Sequence, residues 1–452
     1  WLPGWSTSHA GLLLQTSIQQ AAEMEHDLYV LYVDLKTFFP SIERGLLRDI
    51  EEMKGVPKEM RDLVASIYSR KAEGGKGGAA CRYDSAGGLS EEFHNDVGAL
   101  MGCVCSPDRA KMFMDSVVAA IEMKVKGVRL WGGDREEAAM EWAASTAFAD
   151  DWMSCFMDVA ELRLAWTMFR CWEVAFGQAM GRKGKSPGAQ VALKTAVSGV
   201  TTMSGKRVAT KDPLLEMEDG KMVPFLNPDE WYKHFGRYRR LDGGHNDVFQ
   251  KLKANVSYKL ANMGKLKYVS IKGYCAIAEV LIRGTVAYYT ETDYLTWEEA
   301  EAIERVFRKG LNTKFGRAMS SARWTLYETG GEGRKLRNHT WSIALSSLYT
   351  CVTEAMIDVA DTPSRRAARS AVARAAFSWG CRQKFTEWQW GHLRGEMEAH
   401  LACAKVRQVG TAWMLAAAVA QSEMSSADDK GEGRVKTAEY KGGPWAGGTA
   451  RL

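Results

Sequence analysis

Two adjacent aspartates, Asp150 and Asp151, stand in the middle of an apolar stretch that reads STAFADDWMSCF over residues 145–156. Two carboxylates in such surroundings repel each other and lose hydration, so they need a cation or hydrogen bonds to compensate. A second Asp-Asp pair, Asp428 and Asp429, lies among Ser, Lys and Gly, where solvent satisfies both side chains. The first pair is therefore the one that indicates chemistry.

A third carboxylate, Asp34, follows the apolar run YVLYV, and LYVLYVDL (28–35) is predicted to be a buried strand. The segment STAFADDWMSCFMD is predicted to form strand, tight turn and strand, with Asp150 and Asp151 at the turn. If these strands are neighbours, the three carboxylates meet at one edge of a sheet. For a single Asp, a helix cap or a turn is the better interpretation, but the three together favour a metal site.

Hard divalent cations suit such a group, because Mg²⁺ takes oxygen ligands and leaves part of its shell to substrate phosphates. Two such ions about 4 Å apart would activate a 3′-hydroxyl and stabilise a leaving pyrophosphate. The sequence therefore predicts two Mg²⁺ ions, with Mn²⁺ as a possible substitute.

The elements that must position these residues are predicted from periodicity and end signals. Helices are expected near 43–53, 58–71, 106–126 and 159–177, and strands within 191–200 and 221–240. Beyond Leu241 the chain is predicted to be mostly helical, with helices near 248–263, 274–289 and 297–309 and further ones up to Met424. The Gly-rich, charged tail, 425–452, is predicted to be disordered.

Composition sets the broad class of the protein. The 452 residues, 46% hydrophobic and 25% charged, are ordinary for a globular chain, and a net charge of +5 is compatible with a nucleic-acid partner. Nine cysteines without a CxxC pair favour reduced thiols. We find neither a signal peptide nor an apolar run long enough for a membrane span, so we expect an intracellular protein, in the nucleus or cytoplasm. The start at Trp1 suggests a fragment of a longer polypeptide.

Three ordered motifs carry a family resemblance. YVDLKTFFPSI (32–42) resembles the first palm motif of reverse transcriptases, FADD (148–151) resembles their second metal-binding motif, and VGALMGCVCSP (97–107) resembles Gly-x-x-Gln-Gly-x-x-x-Ser-Pro. Order and spacing agree over residues 1–240. The chain looks most like the enzyme of a non-LTR retrotransposon, as a fragment lacking the upstream fingers and any endonuclease domain.

The resemblance implies roles for these residues. Asp34 and Asp150 would be the main metal ligands, helped by the backbone carbonyl of Leu35, and Asp151 would tune the metal site or the primer end. Phe39 would be the steric gate that rejects a 2′-hydroxyl, where viral RNA polymerases usually place an Asp; core packing is the alternative.

The middle motif implies a nucleotide-binding loop that includes Met101 and Gly102, together with Gly98, Ser106 and Pro107. Small residues there let the backbone approach a ligand closely. Met101 departs from the family pattern, which has Gln, and a thioether cannot donate a hydrogen bond. This difference counts towards a retired relative that only binds nucleic acid.

Downstream, ALKTAVSGV (192–200) resembles the motif whose Lys protonates pyrophosphate, which selects Lys194, with Lys185 as the rival. EWYKHFGRYRR (230–240) resembles the primer grip of non-LTR enzymes. Its matches are Tyr232, Lys233, His234, Phe235 and Gly236. Arg237, Arg239 and Arg240 would add positive charge along primer phosphates.

The helical region would then be the thumb. Thr362 and Pro363 predict the start of a helix that carries Arg365, Arg366, Arg369 and Arg374. Contact of Arg365 and Arg369 with a nucleic-acid backbone is one interpretation, and an ordinary solvated helix is the other.

The fold class expected is α+β, a right-hand polymerase fold. Residues 1–240 would form partial fingers and a palm with an antiparallel sheet, followed by an all-helical thumb-like domain over 241–424. The implied function is RNA-directed DNA synthesis, with an RNA template, a DNA primer and dNTPs as partners and no membrane. A retron or group II intron enzyme, or a retired relative that only binds nucleic acid, remains open. A metal-dependent nuclease does not explain VGALMGCVCSP.

Overall fold

The structure is a computed structural model that describes most of the chain. The described residues are 7–35, 38–68, 79–82, 84–85, 87–91, 93–95, 98–99, 105–131, 141–148, 151–176, 195–217, 220–316, 339–357, 362–379, 387–404 and 406–428.

Helices and antiparallel strands are both present, which is compatible with the predicted α+β class. The helices are α1 Thr7–Glu23, α2 Phe38–Ser41, α3 Arg44–Met53, α4 Lys58–Tyr68, α5 Ser106–Glu122, α6 Val159–Phe176, α7 Asn246–Gly264, α8 Ile271–Thr290, α9 Trp297–Lys314, α10 Thr340–Ile357, α11 Pro363–Ser378, α12 Glu387–Cys403 and α13 Val409–Asp428. The strands are β1 Leu28–Asp34, β2 Ala79–Cys81, β3 Asp84–Ser85, β4 Gly88–Leu89, β5 Phe93–Asn95, β6 Val128–Leu130, β7 Glu141–Ala143, β8 Ser145–Phe148, β9 Asp151–Phe156, β10 Ala196–Met203, β11 Lys206–Ala209, β12 Phe225–Leu226, β13 Trp231–His234 and β14 Arg237–Arg240.

The central sheet has the order β11-β10-β1-β9-β8, and its neighbouring strands are antiparallel. The short strand β12 pairs with β10 in parallel. Strand β1 lies between β10 and β9, so its apolar residues are covered by strands on both sides as well as by helices on both faces. This position explains why LYVLYV is almost continuously apolar.

Alternating side chains give the sheet two buried faces, because successive residues of a strand point to opposite sides. One face carries Leu31 and Val33 with Trp152, and it packs on α5 and α6. The other face carries Val30 and Tyr32, and it packs mainly on α1. Trp152 stacks on Phe169 of α6 with ring centroids 4.9 Å apart. Both faces are therefore core.

The helices beyond residue 240 form two apolar clusters, one in α7, α8 and α9 and one in α10 to α13. Local sequence signals determine where these helices begin. The Thr296 hydroxyl and the Glu299 carboxylate form a capping box at the start of α9. Thr362 accepts a bond from the Arg365 N–H at 3.2 Å, with Pro363 as the first helical residue, which confirms the predicted start of α11.

Helix α1 connects the sheet to the helical region. Its Leu13 and Leu14 belong to the core of the sheet, whereas Leu12 belongs to the cluster of α10 to α13. Ala367 of α11 packs in turn into the core of the sheet. The predicted boundary at 240/241 therefore does not separate two cores.

Two further outcomes concern the chain as a whole. No helix among the described residues is both long and apolar enough to cross a membrane. In the predicted tail, residues 425–428 belong to the last turn of α13, and 429–452 lie outside the described residues.

Candidate active site

Two of the three predicted carboxylates are direct neighbours in the central sheet. The antiparallel register of β1 and β9 places Asp34 opposite Asp151. Side chains of such a cross-strand pair lie on one face, with Cβ atoms about 5 Å apart. Both residues are half-buried. We call Asp34 and Asp151 the carboxylate pair; Asp150, the third predicted carboxylate, lies outside the described residues.

The carboxylate pair lies on the same face of the sheet as Tyr32, whose ring contacts the buried phenol of Tyr232. Tyr32 precedes Asp34 by two residues, so it lies on the same face of β1, and its ring stacks on Tyr232 with centroids 4.1 Å apart. Burial, and then the negative charges of Asp151 and Asp34, raise the pKa of the Tyr232 phenol. Both carboxylates therefore act on one buried group at this end of the sheet.

Carboxylate oxygens concentrated in this way suit a hard divalent cation. Asp34, Asp151 and the backbone carbonyl of Leu35 are the described groups that could contribute ligands. Within the described ranges, no cluster of three or more His, Cys, Asp or Glu side chains is placed to hold a metal. A complete ligand set would need a further donor, and Asp150 is the residue predicted to supply it.

The residues after β1 contact the predicted nucleotide-binding loop. Phe38 is buried, whereas Phe39 is half-buried and packs at the margin of the same core. The Ala99 N–H donates to the Phe39 carbonyl at 2.7 Å, and Gly98 has φ +84°, which favours glycine. The structure thus brings the predicted gate and the start of the loop together.

Several predicted residues fall outside the described part of the chain. These are Met101, Gly102, Lys185 and Lys194. Ser106 and Thr195, which lie close to these residues in the sequence, are described. Ser106 is buried and bonded to the Tyr68 hydroxyl at 3.0 Å, and the Thr195 hydroxyl accepts the Asp34 N–H at 3.3 Å. The segment that follows Lys194 therefore begins beside Asp34.

The predicted primer grip is a hairpin of β13 and β14 that lies over β1. Tyr232 and His234 are buried against the sheet, whereas Lys233 is exposed on the opposite face. Phe235 and Gly236 form a two-residue turn with φ of +50° and +76°, the backbone of a type I′ turn. The Tyr288 hydroxyl of α8 donates to the Phe235 carbonyl.

His234 lies in an apolar aromatic pocket. Its ring is 5.5 Å from that of Tyr32 and 3.7 Å from that of Phe235, between centroids. Burial, with a smaller effect from the charge of Arg239, lowers the pKa of His234 to about 3. His234 is therefore neutral at physiological pH.

Arg237 and Arg239 correct the sequence-based expectation. Both are buried: Arg237 pairs with Glu291 at 2.5 Å and Arg239 with Asp293, and both donate to the Thr292 hydroxyl. These acids lie more than 50 residues further along the chain, so local sequence gives no signal for the pairs. The two guanidinium groups join the hairpin to the end of α8 instead of facing primer phosphates.

The other predicted arginines have mixed surroundings. Arg240 is paired with Asp242 and Asp247, and Arg374 is paired with Glu23. Arg366 donates to the Trp142 carbonyl. Arg365 is half-buried, and Arg369 is exposed on α11. Backbone contacts by Arg365 and Arg369 stay predictions.

Sequence reasoning missed three residues that shape this site. Tyr32, which supports Tyr232, is two residues before Asp34, and strand alternation could have found it. Tyr288 and Glu291, which anchor the hairpin from α8, carry no local signal because they are 53 and 54 residues from their partners.

No protein-family model and no curated protein matches this chain. Similar solved structures include telomerase from Candida albicans with a TWJ fragment of telomeric RNA, at 10% identity and a TM-score of 0.29, covering 78% of this chain and 51% of that one. Telomerase from Candida tropicalis is similar with the same kind of RNA fragment (10%, TM-score 0.29, 80% and 51%) and in the apo form (10%, TM-score 0.28, 80% and 56%). The chain spans about half the length of these telomerase chains. TM-scores this low support no inference about fold or function.

Proposed function

We propose that this protein is an RNA-directed DNA polymerase of the non-LTR retrotransposon type, which extends a primer 3′-hydroxyl with dNTPs. The observation that carries the proposal is the direct pairing of Asp34, the last residue of β1, with Asp151, the first residue of β9. It is the arrangement that the resemblance of YVDLKTFFPSI and FADD implies.

The chain's own residues have distinct parts in this proposal. The carboxylates of Asp34 and Asp150, with the carbonyl of Leu35, would hold two divalent cations, and Asp151 would tune the metal site or the primer end. When bound, the ions would supply charge stabilisation at the transferring phosphoryl group. Phe39 excludes a 2′-hydroxyl. The loop that includes Gly98, Met101 and Gly102 positions the incoming nucleotide, and Lys194 donates a proton to the leaving pyrophosphate.

The hairpin positions the primer end. Tyr232 and His234 fix it on the sheet, and Phe235 and Gly236 form its turn. The buried pairs of Arg237 and Arg239 hold it against α8. A rigid support of this kind matters because small displacements of a reacting group are costly in rate.

Primer extension tests the proposal. The full chain is incubated with poly-rA, an annealed DNA primer, Mg²⁺ and dTTP, with a parallel rUTP reaction. We expect extension with dTTP only, reduced at least about 100-fold by Asp34→Asn and by Asp151→Asn. Asp429→Asn, in the second Asp-Asp pair, is the matched control and leaves the rate unchanged.

Two outcomes would contradict the proposal. Extension that survives both Asp34→Asn and Asp151→Asn would mean that the carboxylate pair is not the catalytic centre. No extension by a folded protein that binds the hybrid would favour a retired, nucleic-acid-binding relative, an alternative that Met101 in place of the family's Gln already supports.

A further inference from the structure

A cavity of about 520 Å³ lies between the β13–β14 hairpin and helices α7 and α8. Three lysines line it, Lys233 from the hairpin and Lys251 and Lys259 from α7, and none of the described residues that line it is acidic. Asp247, one turn before Lys251 on α7, is a carboxylate that acts on one of these lysines from outside the lining. Three ammonium groups on a wall without acidic residues nevertheless attract anions, including phosphate. We call this space the lysine cavity.

The lysine cavity lies on the opposite side of the hairpin from the carboxylate pair. Along β13, Tyr232 and His234 are buried against the sheet, whereas Lys233 is exposed. The register places Tyr238 opposite Lys233, and cross-strand partners share a face. The outer face of the hairpin therefore belongs to the cavity and the inner face to the candidate active site.

The charges in the cavity are held in place. Lys251 and Lys259 are eight residues apart on α7, which puts them on one face of the helix. The Lys251 ammonium lies 3.3 Å from the centroid of the Trp231 ring and 4.1 Å from that of Tyr238. The Lys259 ammonium donates to the Thr285 hydroxyl at 2.6 Å. Side chains that are already ordered lose little entropy when they bind a ligand.

The wall of the cavity is also aromatic. Tyr238, Tyr288 and Tyr289 all line it. Aromatic rings are the surfaces on which nucleobases stack. The volume falls within the range of about 300–1,000 Å³ that is usual for small-ligand sites. Fixed positive charge beside aromatic rings matches a ligand that carries both a phosphate and a base.

We propose that the lysine cavity binds a nucleotide unit, with its phosphate on Lys233, Lys251 and Lys259 and its base against the tyrosines. The ligand is either a free nucleotide or the terminal nucleotide of a strand. This site goes beyond the proposed polymerase activity, because it needs neither the carboxylate pair nor a metal.

Calorimetric titration of the full chain, without divalent cations or template, tests the proposal. The probes are AMP, adenosine, pyrophosphate and a 5′-phosphorylated pentathymidylate. We expect one AMP or one oligonucleotide per chain, bound at least about tenfold more tightly than adenosine and than pyrophosphate. Tighter binding of AMP identifies a free nucleotide as the ligand, and tighter binding of the oligonucleotide identifies a strand end.

Two variants test whether the ligand occupies this cavity. Lys259→Gln removes one charge, and we expect binding of the tighter ligand to weaken about threefold to tenfold. Lys253→Gln, on the same helix but outside the cavity, is its control. Gly284→Phe fills the cavity, since a Cβ at Gly284 meets no atom within 4 Å, and should abolish binding. Gly395→Phe, at an equally open helical glycine, is the second control.

Several results would overturn the proposal. The proposal fails if neither AMP nor the oligonucleotide binds. It also fails if AMP binds no more tightly than adenosine or no more tightly than pyrophosphate. Full binding by Gly284→Phe would place the ligand outside this cavity. If Lys259→Gln fails to fold, Gly284→Phe decides alone. Binding that persists in Asp34→Asn, a variant expected to lose extension, separates this site from the polymerase proposal, so either can fail without the other.

Discussion

The burial of His234 should be measurable through the pH dependence of the free energy of unfolding. Its pKa is about 3 in the folded chain, whereas a free histidine has a pKa of about 6.5. Between these values the unfolded chain binds a proton that the folded chain does not bind. Stability therefore falls as the pH falls from about 6.5 towards 3, by up to about 1.4 kcal/mol per pH unit.

His234→Phe should remove this dependence. Phenylalanine fits an aromatic pocket, and the His234 Nε2 has no hydrogen-bond partner in the described part of the chain, so no bond is lost. Urea unfolding at pH 7, 6, 5 and 4 measures the slope. We expect a shallower loss of stability in His234→Phe than in the parent, and the parent slope in His400→Gln, an exposed histidine on α12. Equal slopes in all three proteins would mean that His234 is solvated.

Single residues also mark the limit of what the sequence could predict here. Asp34 and Asp151 were found because an acid in an apolar strand is costly, and that cost is visible in the local sequence. The resemblance of EWYKHFGRYRR to a primer grip predicts Arg237 and Arg239 along primer phosphates. Their acidic partners, Glu291 and Asp293, lie just after α8, and only the folded chain brings them together.

Two hairpins of the protein have the same turn backbone, which allows a controlled experiment. Gly236 in the β13–β14 turn has φ +76°, and Gly205 in the β10–β11 turn has φ +71°. A Cβ at Gly236 would lie 3.0 Å from the Tyr288 hydroxyl, whereas a Cβ at Gly205 would meet no atom within 4 Å. An alanine thus costs about 1–2 kcal/mol of backbone strain at either turn, but only Gly236→Ala adds a steric conflict.

We expect Gly236→Ala to lower the free energy of unfolding more than Gly205→Ala does, as measured by urea unfolding. It should also reduce primer extension under the polymerase proposal, because the turn shifts away from α8. Equal destabilisation by the two variants would show that the Tyr288 contact does not restrain the turn.

The elements themselves were predictable where one face or one end carried a clear signal. The strands β1 and β9, the helices α3 to α6 and the cap at Thr362 all follow such signals, and their observed starts confirm them. Helix α5 ends at Glu122, four residues before its predicted end. Helix α1 was missed. Its Leu12 to Gln15 and Ser17 to Gln20 are buried on all sides, polar residues included, so it has no solvent face to reveal a helical period.

At the scale of the whole molecule, the division into a palm and a helical thumb-like domain stays a prediction. Composition changes at residue 241, but the apolar cores do not divide there. Helices α1 and α11 each contribute residues both to the core of the sheet and to the cluster of α10 to α13. The buried pairs of Arg237 and Arg239 cross the same boundary. A shared core predicts that both parts unfold together.

Two adjacent leucines of α1 test this cooperativity. Leu12 packs in the cluster of α10 to α13 and Leu13 in the core of the sheet, and both are fully buried. Leu12→Ala and Leu13→Ala should each cost about 2–5 kcal/mol and should lower one common thermal transition in scanning calorimetry. Leu164→Ala, at a leucine that is 44% exposed on α6, is the control and should change little. If Leu12→Ala lowered one transition and Leu13→Ala another, the sheet and the helical region would be independent domains, and α1 would join them without coupling them.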